Sequence, residues 1–357
     1  MRVCILGTGL SSLTLAKSLV NQKIYVDVLH SQKTYSVNKT RTIGISRSNV
    51  EFFNEKIINI EKIIYKLNKI EIYSDNLKKQ KLINFGNNRD HLFSIVKNYK
   101  LQEILEKNLV NNNYFRKTNY KKKINYYKDY DLVFNTDYNH PITKKYFAKK
   151  IQKKYNSFAY TTTLKHQKIF NKIAVQIFTK NGPLAFLPIS DNETSVVYSI
   201  NNYPKSKEEI NDLIENYNFK YNLKKINKIS SFELKGLSLR SYFHKNILAF
   251  GDLLHKIHPL AGQGFNMTIR DIKILNNIIQ KKIDLGLPLD SAINLEFEDN
   301  QKNKNYIFSS GIDLIHEFFN LERKTKNDFL SKSIKYFNKN LSINKIFTKI
   351  ADKGLLF

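Results

Sequence analysis

The segment from Gly251 to Asp271 contains the residue types in this chain that are best suited to ligand chemistry. It reads GDLLHKIHPLAGQGFNMTIRD and follows the apolar run 246–250, which is typical of a buried strand. Gly262 and Gly264 stand where a helical pattern begins, so the backbone could approach a flat or phosphorylated ligand there. The free N–H groups at a helix start attract negative charge. The spacing therefore predicts a ligand-binding loop, with a simple glycine-rich turn as the alternative.

A second glycine-rich turn lies near residue 7. The apolar segment Arg2–Leu6 precedes this turn, and a helical stripe of apolar residues follows it. This strand–turn–helix order is typical of a dinucleotide site, in which the pyrophosphate lies on the helix N-terminus. The residues predicted to hold it are Gly7, Gly9, Leu10, Ser11 and Ser12, the last of which replaces a third glycine.

A dinucleotide site also needs a residue for the ribose hydroxyls at the end of its second strand. The apolar segment Ile24–Leu29 is predicted to be that strand, and an acidic residue is usual at its end. This sequence has His30 at that position. A histidine can hydrogen-bond a hydroxyl group, and an ordinary surface residue is the alternative interpretation.

The two glycine-rich sites together resemble those of the flavin-dependent aromatic hydroxylases, specifically the ubiquinone-biosynthesis hydroxylase branch (2-polyprenylphenol hydroxylase-like). The residues that match the late motif of this family are Gly251, Asp252, His255, Pro259, Ala261, Gly262, Gln263, Gly264 and Asn266. Further segments resemble the family in the same order along the chain, namely 41–46, 98–105, 181–188 and 237–250. The segment 181–188, NGPLAFLP, is the one that points to the ubiquinone branch.

This resemblance implies an α/β protein with the para-hydroxybenzoate-hydroxylase-like fold. A Rossmann-type FAD domain would be interleaved with a β-sheet substrate domain and followed by a helical C-terminus. The expected pieces of the FAD-binding domain are 1–68, 98–150 and 236–288, those of the substrate domain are 69–97 and 151–235, and the helical region is 289–357.

Within these pieces, residue patterns predict individual elements. A helix is expected near Asn49–Leu67, strands with turns in 69–95, a helix over 98–110 and a strand in 129–137. The substrate-domain strands are predicted at 158–164, 174–178, 184–189, 194–200 and 229–234, with a helix over 207–222. The helical region contains an apolar stripe formed by Ile312, Leu314, Ile315, Phe318 and Phe319.

The resemblance further implies an FAD-dependent monooxygenase that hydroxylates the aromatic ring of a polyprenylated phenol in ubiquinone biosynthesis, through a flavin C4a-hydroperoxide. NADH or NADPH would reduce the flavin. The loop implied to lie against the flavin ring comprises Pro259, Ala261, Gly262, Gln263 and Gly264. The other residues implied to bind the cofactor are Arg41, Asn98, Gly251, Asp252, Phe265 and Asn266. No side chain is singled out as a general base.

Two features depart from the family. Asp137 is kept, but Tyr138 replaces the glycine that normally follows it, and the polar region 111–130 is shorter than the strand ribbon of the family. These departures concern the handling of NAD(P)H more than flavin binding. Two alternatives therefore stay open: another flavoenzyme on this fold (a prenyl-lipid reductase or a different aromatic hydroxylase), or a flavin-binding assembly protein of the ubiquinone pathway with reduced activity.

The formal net charge of +28 comes mostly from lysine, whereas arginine is the preferred residue for base and phosphate recognition. Nucleic acid is therefore not the predicted partner. A basic protein is attracted to anionic lipid, so a peripheral membrane surface is one expected partner. The resemblance implies two others, a polyprenyl-phenol lipid substrate and a ubiquinone-biosynthesis complex. The expected location is cytoplasmic, at the inner face of the membrane. Cys4 is the single cysteine and excludes an internal disulfide.

Two further segments allow a structural and a functional interpretation. The basic, amphipathic segment Phe329–Phe357 is expected to pack on the protein's own core or to lie on a membrane surface. His255 and His258 are close in sequence, but no nearby acid or cysteine completes a metal site. A structural role for both histidines is the prediction, and no metal is expected.

Overall fold

The computed structural model of the protein describes residues 1–30, 39–75, 80–86, 91–120, 126–201, 205–259 and 262–325, together with 349 and 352. Its helices are α1 (Leu10–Asn21), α2 (Arg47–Phe52), α3 (Asn98–Val110), α4 (Tyr126–Asp129), α5 (Pro141–Tyr146), α6 (Lys207–Tyr217), α7 (Gln263–Asp284) and α8 (Ala292–Thr325). Its strands are β1 (Arg2–Leu6), β2 (Tyr25–His30), β3 (Thr42–Ser46), β4 (Ile64–Leu67), β5 (Lys69–Ser74), β6 (Gln80–Gly86), β7 (Phe93–Lys97), β8 (Phe115–Asn119), β9 (Leu132–Asn135), β10 (Lys150–His166), β11 (Ile173–Thr179), β12 (Gly182–Pro188), β13 (Glu193–Asn201), β14 (Leu223–Ile226), β15 (Ser230–Leu239), β16 (Phe243–His244), β17 (Ile247–Ala249) and β18 (His255–Lys256).

The first sheet has the strand order β16–β17–β9–β1–β2–β8. All of its neighbouring strands are parallel except the short pair β16–β17. The central strand β1 is covered on both faces, since Val3, Cys4, Ile5 and Leu6 have no solvent exposure. A continuous apolar run of this kind suits a buried parallel strand. The order in which β1 lies between β2 and β9 is that of the Rossmann-type dinucleotide fold.

The large sheet has the order β18–β15–β10–β13–β12–β11–β5–β6, and β14 pairs with the far end of β10. Its pairs are antiparallel except β11–β5. One face is covered by α6, whose Ile210 and Ile214 belong to the same core cluster as Leu164, Val196 and Tyr198. Because side chains alternate along a strand, the residues between these core positions point to the opposite face, which faces the first sheet.

The predicted helix near Asn49–Leu67 is wrong in its second half. The helix α2 ends at Phe52 and continues as a π-helical turn over Phe53–Ile57. The next residues with regular structure, Ile64–Leu67, form β4, which pairs antiparallel with β7 in a small sheet of order β3–β7–β4. The local pattern favours a helix here, but pairing with a strand that is distant in sequence determines the structure. Tertiary contacts commonly outweigh local propensity in this way.

Most other predicted elements are confirmed. The helix over 98–110 is α3, and the predicted substrate-domain strands coincide with β10 to β13 and β15 within a few residues at most ends. The helix over 207–222 is shorter than predicted. It ends at Tyr217 because the following residues Leu223–Ile226 pair with β10.

The apolar stripe on α8 divides between two environments. Ile312 and Phe319 pack against Leu82 and Phe178 of the large sheet. Leu314, Ile315 and Phe318 are exposed. The segment Phe329–Phe357 lies outside the described residues apart from Lys349 and Asp352. In the described part of the chain, no helix has both the length and the apolar character needed to cross a membrane.

Candidate functional site

A cavity of about 1850 Å³ runs between the first sheet and the open face of the large sheet. Its lining begins at residues 7–12, between β1 and α1, and continues onto strands β5, β10–β13 and β15. The helices α1, α3 and α7 all begin at this cavity, since Leu10, Asn98 and Gln263 are among its lining residues. The N-cap residues of these three helices make no side-chain cap. The positive ends of three helix dipoles are therefore directed at the same space.

The turn before α1 has a shape that only glycine permits at one position. Gly7 has a φ of +110°, and a Cβ there would lie 2.5 Å from Thr136 Oγ1. Ser12 fills the role of a third glycine, because its Oγ lies 2.6 Å from the same Thr136 Oγ1 and joins α1 to the end of β9. At Gly9, by contrast, an added Cβ would meet no atom within 4 Å. Gly9 therefore borders open cavity rather than protein.

The start of α7 forms the second glycine wall. Gly262 is the N-cap of α7 and has a φ of +63°, in the left-handed region that favours glycine. It lies against the backbone of Gly44 and the ring of Phe93. A Cβ on Gly264 would meet no atom within 4 Å, as at Gly9. At Gly264, therefore, no side chain covers the backbone of the helix start on the side of the cavity.

The structure brings most of the predicted cofactor residues together around this cavity. The predicted residues that line the cavity are Gly7, Gly9, Leu10, Ser11, Ser12, Arg41, Asn98, Asp252, Pro259, Gly262, Gln263, Gly264 and Phe265. Ala261 lies outside the described residues. Gly251 is not part of the lining, because it packs behind α1, where an added Cβ would lie 2.8 Å from Ser11 Cβ.

Asn266 lies behind the glycine loop rather than in the lining. It is fully buried, and its Oδ1 accepts the backbone N–H of Ser46 at 2.9 Å and the Nδ2 of Asn49 at 2.8 Å. Its own Nδ2 donates to the carbonyl oxygens of Gly44 and Gly262, both at 3.0 Å. Asn266 therefore joins β3 to the start of α7 from behind the cavity wall.

The side chain of His255, for which a structural role is predicted, has an acidic partner that the local sequence does not indicate. Its Nε2 lies 2.5 Å from Asp271 Oδ2, and both side chains are buried. Asp271 also accepts a hydrogen bond from Asn305 Nδ2 at 3.0 Å, which ties α7 to α8. Asp271 lies 16 residues further along the chain, on α7, so the contact depends on the packing of α7 against β18. No group of three or more metal-ligating side chains occurs in the described part of the chain.

The end of β9 contributes a polar corner to the cavity. Asp137 accepts a hydrogen bond from Tyr120 Oη at 2.8 Å, and burial together with this bond raises the pKa of Tyr120. His140 is buried nearby, and its Nδ1 accepts the backbone N–H of Ile142 at 3.2 Å. Burial lowers the pKa of His140. The neutral imidazole that this helix cap requires is therefore the form that the fold favours.

Tyr138, in the position of the family's glycine, stands at the cavity mouth. Its side chain is 48% exposed, and Lys150 Nζ donates to its Oη at 2.7 Å while lying over the ring. The hydrogen bond from Lys150 lowers the pKa of Tyr138. His30, in the position of the usual ribose acid, also lines the cavity.

The large sheet supplies a mostly apolar wall opposite the glycine loops. The apolar lining residues on its strands are Ile70, Ile72, Phe85, Ala174, Val175, Ala185, Leu187, Val197, Phe232 and Leu234. Thr161 and Gln176 are polar exceptions on the same strands, and the sequence analysis missed both. The available signal was a single glutamine inside the apolar run of β11.

Asp352 is a cavity-lining residue from the far end of the chain. Its Oδ1 accepts the backbone N–H of Ser48 at 2.9 Å, and its carbonyl oxygen accepts the hydroxyls of Ser46 and Ser48. The carboxylate thus satisfies a free N–H in the first turn of α2. No local pattern in the sequence connects these residues.

A second cavity of about 1060 Å³ lies at the opposite edge of the first sheet, around Asp27. The carboxylate of Asp27 already accepts hydrogen bonds from Arg2, Arg116 and Tyr130 at 2.9–3.0 Å. Ligands of open α/β sheets bind beyond the carboxyl ends of the strands. The cavity at residues 7–12 is at that end, and we take it as the functional site.

The residues around this cavity fit a dinucleotide cofactor. A pyrophosphate requires close approach of the backbone at a helix start, and Gly9 leaves that approach open. An isoalloxazine ring requires a flat neighbouring wall, and Gly264 leaves the start of α7 equally open. Arg41 lines the same space and supplies positive charge.

Comparisons with known proteins agree with this geometry. Residues 140–284 match the family described as FAD binding domain. The ubiquinone biosynthesis monooxygenase COQ6 of Schizosaccharomyces pombe is 22% identical over 51% of this chain and 48% of that protein. Its counterpart in Dictyostelium discoideum is 23% identical over 96% of this chain and 88% of that protein. The 3-demethoxyubiquinol 3-hydroxylase of Escherichia coli is 30% identical over 40% of this chain and 39% of that protein. Apart from the Dictyostelium protein, these alignments thus span about half or less of each relative.

Solved structures show the same fold. The p-nitrophenol 4-monooxygenase PnpA of Pseudomonas putida DLL-E4 superposes with a TM-score of 0.77 at 12% identity, covering 99% of this chain and 98% of that one. The Klebsiella pneumoniae protein HpxO, solved with FAD and uric acid, gives a TM-score of 0.75 at 11% identity, covering 99% and 97%. The predicted para-hydroxybenzoate-hydroxylase-like fold is confirmed by these matches.

The chain thus has the fold of FAD-dependent monooxygenases, and residues 140–284 match an FAD-binding domain. The sequence relatives named above are ubiquinone-biosynthesis monooxygenases and a hydroxylase, to which the chain is 22–30% identical. FAD as the predicted cofactor is confirmed, whereas NADH or NADPH as the electron donor stays a prediction.

Proposed function

We propose that the protein is an FAD-dependent monooxygenase that hydroxylates the aromatic ring of a prenylated phenol in ubiquinone biosynthesis. The observation that carries this proposal is the continuity of the cavity, which joins the bare helix starts of α1 and α7 to the apolar face of the large sheet. A volume of about 1850 Å³ exceeds the roughly 300–1,000 Å³ of an ordinary small-molecule site. It has room for a dinucleotide and an apolar second ligand.

FAD, when bound, supplies the oxygen-activating chemistry, which ordinary side chains do not provide. The chain's own residues bind and orient it. Residues 7–12 would hold the pyrophosphate, and Arg41, Asn98 and Asp252 would hold the parts between the phosphates and the ring. The N–H groups at the start of α7 would stabilise negative charge on the ring, by the same electrostatic principle as an oxyanion hole. The oxygen-transfer route expected from the family is part of this proposal.

The sheet wall suits a substrate with a hydrocarbon chain. Its lining side chains are aliphatic or aromatic at nearly every position, so that an apolar chain would displace water at a gain of roughly 25 cal/mol per Å² of buried surface. The aromatic ring of the substrate would lie between this wall and the start of α7. The apolar side chains of the wall would exclude bulk water from that space. The described lining does not single out a general base.

Partners and location belong to the same proposal. The relatives are named ubiquinone biosynthesis monooxygenases, which supports a lipid-like substrate. A ubiquinone-biosynthesis complex is proposed as a further partner. The net charge of +28 favours peripheral association with an anionic membrane surface, at its inner face. These expectations rest on the relatives and on electrostatics.

A flavin-binding assembly protein of the pathway with reduced activity is the second candidate. It is favoured by Tyr138, whose ring under Lys150 stands at the cavity mouth where the family has a glycine. A bulky side chain at that position could hinder the approach of NAD(P)H while leaving FAD bound.

The experiment that separates the two candidates uses the purified full chain loaded with FAD. Oxidation of NADH and of NADPH is measured with and without 2-geranylphenol, and products are identified by mass spectrometry. If the protein is the hydroxylase, we expect faster oxidation of NADH or NADPH with the phenol and a product heavier by one oxygen atom. The assembly protein would be favoured if FAD binds but the phenol neither speeds the oxidation of NADH or NADPH nor yields a product. In that case a chemical reductant under oxygen should also yield no product. Failure to take up FAD would overturn both candidates.

A further inference from the structure

A straight row of residues crosses the cavity face of the large sheet. Thr161 of β10 pairs with Val197 of β13, and Val197 pairs with Ala185 of β12. Ala185 pairs with Gln176 of β11, and Gln176 pairs with Ile72 of β5. Residues directly opposite each other in a sheet project from the same face. All five line the cavity.

The two polar members of this row have no hydrogen-bond partner among the described residues. Thr161 is 5% exposed, and its Oγ1 is buried without a partner. Gln176 is 8% exposed and makes no side-chain hydrogen bond within the described part of the protein. Buried polar groups in native proteins are nearly always hydrogen-bonded, so the buried, unpartnered Oγ1 of Thr161 requires an explanation. The carboxamide of Gln176 lies on the same cavity wall and is not among the fully buried polar groups.

We propose that this row, from Thr161 to Gln176, recognises the oxygen substituents of the substrate's aromatic ring; this inference rests on the proposed function. The hydroxyl of Thr161 and the carboxamide of Gln176 can each donate to and accept from a ring oxygen. Val197 and Ala185, which lie between them, are small and apolar and offer a floor on which a ring can lie. The row thus combines a flat centre with a polar group at each end.

The dimensions of the row fit a single ring oxygenated on opposite edges. Neighbouring strands are about 4.8 Å apart, so three steps place the backbones of Thr161 and Gln176 about 14 Å from each other. The long side chain of Gln176 and one hydrogen bond of about 2.8 Å at each end shorten the remaining gap to the size of a substituted ring.

The surrounding rows separate the polar ring from the hydrocarbon chain. One step along the sheet toward the small sheet, the lining residues are Leu187, Ala174 and Ile70, which pack near Phe93. On the opposite side of the row, Phe232 and Leu234 of β15 border the cavity. A prenyl chain therefore finds apolar neighbours on either side, whereas Thr161 and Gln176 offer hydrogen-bond partners to the ring oxygens along the row.

The test measures binding of three ligands to the oxidised, FAD-loaded protein without electron donor. Geranylbenzene carries no ring oxygen, 2-geranylphenol carries one and 4-methoxy-2-geranylphenol carries two on opposite edges. Dissociation constants are obtained from the change in the flavin absorption spectrum and by calorimetry. The variants are Gln176→Leu, Thr161→Val and the double variant, with Gln280→Leu on the exposed side of α7 as the matched control.

In the unaltered protein, affinity should rise with the number of ring oxygens. Each single variant should weaken binding of the methoxyphenol by about two- to tenfold, the effect of one neutral hydrogen bond, and leave geranylbenzene unaffected. The double variant should bind all three ligands alike, and Gln280→Leu should behave as the unaltered protein. If Gln176→Leu does not fold, Gln176→Met keeps the length of the side chain and replaces it in the comparison.

Two failures are distinguishable. If no prenylated ligand binds to the FAD-loaded protein, the proposed function itself is wrong. If the ligands bind but both single variants keep the preference for oxygenated rings, the row is not the recognition element and the proposed function is unaffected. Equal loss of geranylbenzene and methoxyphenol in the variants would also overturn the inference, because it would indicate altered packing rather than a lost hydrogen bond.

Discussion

The Oδ1 of Asn266 accepts the backbone N–H of Ser46 at 2.9 Å, and this bond joins the start of α7 to the junction of β3 and α2. The two residues are 220 positions apart in the chain. The wall of the flavin site is therefore held by a side chain that does not itself line the cavity. A residue of the family's late motif acts here by positioning the backbone of its neighbours.

Replacing Asn266 should affect both stability and cofactor binding. Asn266→Ala leaves the N–H of Ser46 and the carbonyl oxygen of Gly44 buried without their partner. We expect the free energy of unfolding to fall by about 3 kcal/mol, since each abandoned buried polar group costs about 1–3 kcal/mol. FAD affinity should fall with it, because the start of α7 loses its anchor. Urea unfolding and flavin titration measure the two effects, and Asn300→Ala on the exposed side of α8 should change neither.

Gly9 allows cofactor binding to be separated from folding. A Cβ at this position would meet no protein atom within 4 Å, and the backbone φ of −69° suits any residue. Gly9→Ala should therefore leave the free energy of unfolding of the apoprotein within about 1 kcal/mol of the original value. It should weaken FAD binding by about tenfold or more, a loss of about 1.4 kcal/mol, because the added methyl group occupies the path of the pyrophosphate.

The control for Gly9→Ala is Gly311→Ala on α8, where an added Cβ also meets open space. This change should leave FAD affinity unaltered and should stabilise the helix by roughly 0.5–1 kcal/mol. Equal FAD affinity in Gly9→Ala and the unaltered protein would show that the turn before α1 does not approach the phosphates.

The buried contact between His255 and Asp271 should contribute to stability rather than to metal binding. Asp271→Ala removes the partner of both His255 Nε2 and Asn305 Nδ2. We expect a loss of roughly 2–4 kcal/mol in the free energy of unfolding, since two buried polar groups lose their bonds. Asp284→Ala, at the exposed end of the same helix, should cost less than about 0.5 kcal/mol. A zinc-dependent rise in melting temperature of the original protein would contradict the structural role.

His140 should make stability depend on pH. Burial lowers its pKa below the ordinary value of 6.5, so the folded state favours the neutral form, whose Nδ1 caps α5. The unfolded chain binds the proton more readily than the folded protein. The contribution of neutral His140 to the free energy of unfolding is therefore present above pH 6.5 and is lost as the pH falls through the lowered pKa of the folded state. Urea unfolding between pH 7.5 and 5.0 measures this loss.

His140→Asn provides the comparison, because asparagine can cap the helix without titrating in this range. Its stability should decline less steeply with falling pH than that of the original protein. His91 also has a pKa lowered by burial, so His91→Asn should reduce the slope by its own separate share. An identical slope in the original protein and in His140→Asn would show that His140 does not titrate in this range.

The sequence predicted well the elements whose signal is local. Gly7 and Gly262 mark backbone conformations that other residues rarely adopt, and both occur where the pattern placed a helix start. The apolar run Arg2–Leu6 predicted a buried strand because a parallel strand is covered on both faces. Prediction failed over Ile64–Leu67, where pairing with β7 replaced the helix that local periodicity favoured.

The sequence by itself determined where the backbone can meet a phosphate and a flat ring, because the freedom of a glycine is a property of that residue alone. Only the tertiary structure decided which side chains face the substrate. Thr161 and Gln176 share a row through the registers of three strand pairs, and a shift of one residue in any of them would turn one polar group to the other face. The bond from His255 to Asp271 and the placement of Asp352 beside Ser48 arise in the same way, from the meeting of segments that are distant in sequence.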